Sequence, residues 1–101
     1  MNIQPHFTAL LTFISEKESG RSTPTSSGYR ALVKFSSEQK ESIGIFNFPD
    51  DELVFPSDSV SSEITLIDIE SIKEKLYQGL DFEFYENEVL IGTGVVKKLL
   101  Q

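Results

Sequence analysis

The chain has 101 residues, no cysteine, and sixteen acids against nine bases, giving a net charge of −7. That length suits one core, so residues 1–101 are read as a single domain. The lack of cysteine excludes disulfides and thiolate metal sites, and the acidic balance repels the phosphates on which nucleic-acid binders depend. No apolar run approaches the ~18 residues of a membrane helix. Met1–His6 has neither the basic nor the apolar stretch of a signal peptide, and the lack of cysteine makes a reducing, cytoplasmic location the expectation, with no membrane partner.

Alternation with period two dominates the chain. Phe7, Ala9, Leu11 and Phe13, interleaved with Thr8 and Thr12, predict a first strand. Ser15–Ser27 is polar, with Gly20, Pro24 and Gly28 as punctuation, and reads as a long surface loop. Tyr29, Ala31, Val33 and Phe35, set against Arg30 and Lys34, predict a second strand, and Ser36–Ser42 a charged turn. Ile43 and Ile45, flanking Gly44, supply the apolar positions of a third strand. A loop follows at Asn47–Ser59, with Pro49, Pro56, Asp50 and Asp51. Val60, Ile64 and Leu66 alternate with Ser61, Glu63 and Thr65 in a fourth strand.

In Asp68–Gly79 the period changes: Ile69, Ile72 and Leu76 share a helical face. Asp68 as N-cap and Gly79 as stop predict a short helix of about two turns. Leu80, Phe82 and Phe84 mark a fifth strand, and Val89, Ile91, Val95 and Leu99 a sixth. Gly92 and Gly94 within that last strand signal a bulge or a close backbone crossing. Phe, Ile, Val, Tyr and Thr suit a pleated, half-buried surface. Six runs, each with one polar face, predict an all-β fold: a closed antiparallel barrel, which leaves no unpaired edge.

Catalytic motifs are sparse. No phosphate-cradling GxxxxGK[ST] occurs, and Gly92-Thr93-Gly94 lacks the following glycine and helix of a dinucleotide fingerprint. His6, the sole histidine, stands before the first strand and reads as a turn residue rather than a general base. The carboxylate pairs Asp50/Asp51, Asp81/Glu83 and Glu86/Glu88 read as solvated faces, and the spacing of Asp50, Asp51 and Glu52 fits no calcium loop. The chain is therefore expected to be no enzyme and to use no cofactor or metal. One polar cluster remains: Arg21, Tyr29, Arg30 and Lys34, with Thr23 and Pro24 between. Two arginines near an exposed aromatic can clamp a phosphate or carboxylate, or they can pair with local carboxylates and pin the loop.

The same cluster carries a resemblance. Gly20-Arg21-Ser22-Thr23-Pro24 and Gly28-Tyr29-Arg30 resemble the G-R-H-T-P and G-Y-R-P stretch opening the third, C-terminal domain of translation elongation factor Tu. Phe55–Ser59 resembles its M-P-G-D-N turn, Gly79–Phe82 its G-L-R-F, and Ile91–Val96 its V-G-A-G-V-V, all in order along the whole chain. The resemblance implies a six-stranded Greek-key barrel, here with about four extra residues around Glu70–Lys75. In the family this domain touches the T stem of aminoacyl-tRNA and packs against the GTP-binding domain and the exchange factor. Neither of the two preceding domains is in this sequence, so GTP chemistry is not carried over.

Among the T-stem positions, Arg21 and Glu86 match. Leu32, Asp68, Asp81, Tyr85, Asn87, Glu88 and Val89 depart, removing positive charge and adding negative. The expectation is a non-catalytic barrel with a protein partner, possible contact residues Arg21, Thr23, Tyr29, Arg30, Lys34 and Glu86, and a translation-related role. The alternative is an RNA-binding module retaining a weak T-stem contact through Arg21, Arg30 and Lys34.

Overall fold

A computed structural model describes residues 4–20 and 22–100. Six antiparallel strands, β1 (Phe7–Phe13), β2 (Tyr29–Phe35), β3 (Ser42–Asn47), β4 (Ser59–Leu66), β5 (Asp81–Glu86) and β6 (Val89–Leu99), close into a barrel. Around the ring the order is β1-β4-β3-β2-β5-β6, with β6 returning to β1. Strands β2 to β4 form a meander, and β1 lies beside β4 rather than β2, which makes the topology a Greek key.

Seven of the eight phenylalanines are buried. Phe7, Phe35 and Phe82 meet edge to face at one end, with centroids 5.6–6.1 Å apart. Phe13, Phe46, Phe48 and Phe84 form a second cluster at the other end. Room for these rings comes from glycine. A Cβ on Gly94 would collide with the Phe82 ring, and one on Gly92 with the Phe84 ring and, at 2.7 Å, with the Thr12 carbonyl oxygen. Gly92 and Gly94 thus mark close approach, as expected. A bulge also lies beside them, because Phe84 pairs with Gly92 but Tyr85 with Leu90, leaving Ile91 as the extra residue.

Four local expectations need correction. In β3 the parity is reversed: Ser42, Gly44 and Phe46 face the core, while Ile43 and Ile45 face outward. Burying Phe46 in the aromatic cluster outweighs burying the isoleucines, and Gly44 fits there because a Cβ would stand 2.9 Å from Val33 Cγ2. In β6 the bulge at Ile91 and a second register shift opposite Thr8/Ala9 break the alternation, so Val89 and Leu99 are exposed.

The predicted helix at 68–79 is instead a strap of two single 3₁₀ turns, Ile69–Ser71 and Lys73–Lys75. The Asp68 side chain caps neither turn. Burial of Ile72 and Leu76 against the barrel sets this path, and Gly79, at φ +95°, ends it. Ser15–Ser27 is not wholly loop: it opens with one helical turn, α1 (Glu16–Ser19). Ser15 Oγ accepts the Glu18 N–H, and Gly20, in the left-handed region, donates its N–H to the Glu16 carbonyl. The rest of that loop is pinned by reciprocal 2.8 Å bonds between Thr25 and Val54.

Candidate functional site

Among the described residues, the sequence-derived contact residues lie at separate places on the barrel. Arg21 lies outside the described residues. Tyr29 points inward rather than standing exposed, packing edge to face on Phe46 at 5.7 Å, because position 29 shares the core-facing parity of Ala31 and Val33. It therefore cannot join Arg30 in an outward clamp. Thr23 and Glu86 do come together, in a shallow groove of about 240 Å³ at one end of the barrel, with Ser19, Gly20 and Asn87. Arg30 and Lys34 lie instead on the outer wall of β2, four residues apart, which is roughly 13 Å along a strand. Arg30 faces Ile45, and Lys34 faces Glu83 in a groove of about 560 Å³ whose rim includes Glu38 and Asp81.

Between those cations is Leu32, and it centres a feature the sequence reading missed. Cross-strand partners point to the same side of a sheet. Leu32 is paired with Tyr85 of β5 on one side and with Ile43 of β3 on the other. Ile67, just past β4, donates its N–H to the Ile43 carbonyl at 3.0 Å and extends the row. Tyr85, Leu32, Ile43 and Ile67 therefore run across four strands on the solvent side, with Ile45 adjoining. Ile43 is 44% exposed and Ile67 54%, while Leu32, Ile45 and Tyr85 are half-buried. The signal was present in Ile43, Ile45 and Leu32, but assigning the isoleucines to the core face hid it.

The wall around this row is acidic with isolated cations. Tyr85 donates its hydroxyl proton to Glu83 Oε1 at 2.7 Å, and that bond to a carboxylate, followed by desolvation and the nearby Glu83 and Glu41 charges, raises its pKa above the usual 10.0. Lys40 lies 3.8 Å from Asp68, and Lys75 3.0 Å from Glu38, so both lysines face carboxylates. Arg30 makes no ion pair with a described residue. Among the described residues no three acidic or imidazole side chains converge as metal ligands would, and no helix is long and apolar enough to cross a membrane.

His6 is not a simple turn residue. Its Nδ1 accepts the Leu66 N–H at 3.0 Å, its own N–H donates to the Ile64 carbonyl at 2.9 Å, and its carbonyl accepts from Leu100 at 3.0 Å. The ring borders a small cavity of about 100 Å³ with Glu70, Lys73, Ile69, Leu76 and Leu99. No family model matches the chain.

Proposed function

We propose that this protein is a non-catalytic barrel that works as a protein-interaction module, docking its partner on the outer wall through Tyr85, Leu32, Ile43 and Ile67. The observation that carries the reading is the row itself: four large apolar or aromatic side chains in cross-strand register on the solvent side of a closed sheet. Contiguous apolar surface of this kind marks contact sites in soluble proteins. Covering what remains exposed of each side chain would contribute on the order of 1 kcal/mol. The resemblance to the third domain of elongation factor Tu supports the reading by its departures. Leu32 and Tyr85 fall on the row and Asp68 follows Ile67, where the family carries polar or basic groups toward RNA. That resemblance directs the search for a partner to translation components and to the cytoplasm.

The test is a paired affinity capture with the wild-type chain and with Leu32→Glu/Ile43→Glu. Proteins recovered by the wild type should fall by at least about tenfold with the variant. A partner retained equally by both would contradict docking on this wall.

A second reading, a weak RNA module, draws on Arg30 and Lys34 lying on the same wall. Titration with tRNA at about 50 mM salt separates the two readings, because phosphate contacts produce affinity that falls steeply as salt rises. The acidic neighbours Glu83, Glu38 and Asp81 around Lys34 weigh against it.

A further inference from the structure

The His6 contacts join three parts of the fold. Through its backbone the residue ties the end of β4 to the chain following β6, and through its ring it holds Leu66, the last residue of β4. Immediately beyond Leu66 come Ile67 and the strap. A neutral imidazole has one bare nitrogen, and here that nitrogen is Nδ1, turned to the Leu66 amide, so the ring proton sits on Nε2. A second proton can go only to Nδ1. The doubly protonated ring has two donors and no acceptor, and the Leu66 amide, in a fully buried residue, loses its partner.

We propose that His6 is an acid-released latch: singly protonated, it fastens Leu66, and on taking a second proton it lets go and loosens the joint between β4 and the strap. Among the described residues, the charged groups facing the ring are Glu70 and Lys73, both from the strap. From β4 and the end of β6, Leu66 and Leu99 border the ring, and neither carries a charge. Burial is the largest influence and lowers the imidazole below its usual 6.5; Glu70 opposes this and Lys73 adds to it. The cavity beside the ring gives solvent protons access. Loosening reaches Ile67, the end of the apolar row, so any effect of acid on docking rests on the proposed function, whereas the latch itself does not.

The experiment uses the isolated chain, which keeps the two ideas separable. Nuclear magnetic resonance would follow the imidazole nitrogens and amide exchange from about pH 7.5 down to full protonation of the ring. At neutral pH the spectrum should show the Nε2–H tautomer. On protonation, exchange at Leu66 and Ile67, corrected for its intrinsic pH dependence, should rise about tenfold while Val33 stays protected. His6→Asn, which keeps an acceptor but cannot take the proton, should hold Leu66 equally protected across the range. A Leu66 amide that stays protected beside a doubly protonated ring, or a neutral Nδ1–H tautomer, would overturn the latch. So would the same rise in His6→Asn. Should that variant not fold, the wild-type correlation between ring charge and Leu66 exchange decides.

Discussion

The rings of Phe82 and Phe84 occupy the space in which Gly94 and Gly92 would carry a Cβ. One methyl group at position 94 must therefore displace an aromatic ring at the centre of the Phe7–Phe35–Phe82 cluster. Gly94→Ala should cost about 1–3 kcal/mol by overpacking. Pairing it with Phe82→Leu should lose less than the sum of the two single changes, read from urea denaturation midpoints. Strictly additive losses would show that the ring and the glycine are not in contact.

A second residue-scale consequence concerns His6. Because its folded pKa lies below the unfolded 6.5, the neutral ring contributes stability that is complete above 6.5. As the pH falls through 6.5 the unfolded chain takes up the proton first, so this contribution is lost progressively down to the folded value. His6→Asn should flatten that segment of the stability–pH curve, measured by denaturation at each pH.

Among the elements, the strap and β3 best show what a linear sequence conveys. Strands β1, β2 and β5 were legible because apolar residues hold every second position, and β4 because Val60, Ile64 and Leu66 keep that parity on either side of the buried Ser62. In β3 the alternation has two solutions, Ile43/Ile45 or Phe46 with Gly44. The choice depends on which parity lets Phe46 reach Tyr29 and Phe84 across the barrel, and a local pattern does not contain that. In β6 two register shifts undo a parity that the sequence presents as regular. For the strap, the spacing of Ile69, Ile72 and Leu76 identified the side turned to the barrel, with Ile72 and Leu76 buried and Ile69 partly so, but not the tighter 3₁₀ turns. The helical turn α1 had a readable signature in Ser15-Glu16-Lys17-Glu18, a capping box, closed by Gly20.

The apolar row was less legible than the fold, because its members pair across strands and no local pattern in the sequence shows which residues stand opposite one another. Leu32, Ile43 and Ile67 are brought together by the β2–β4 meander, and Tyr85 joins them only because the Greek-key order sets β5 beside β2. The strap itself yields a prediction. Leu76→Ala should destabilise the chain by about 2–5 kcal/mol through a core cavity, and Gly79→Ala by about 1 kcal/mol through strain at φ +95°. Both can be followed by thermal or urea unfolding. A neutral Leu76→Ala would mean that the strap is not part of the core.

At the scale of the whole molecule, two properties act together. A net charge of −7 discourages phosphate partners and disfavours pairing of identical chains, while the outer wall offers an apolar row. Ring closure removes free strand edges, so the proposed partner would have to engage side chains rather than extend the sheet. Methyl-resolved resonance mapping of the chain bound to a captured partner tests this most directly. The account predicts that shifts concentrate on Leu32, Ile43 and Ile67, spread to Ile45 and the Tyr85 ring, and vanish in Leu32→Glu/Ile43→Glu. A footprint centred on the groove of Thr23 and Glu86, with the row undisturbed, would contradict it.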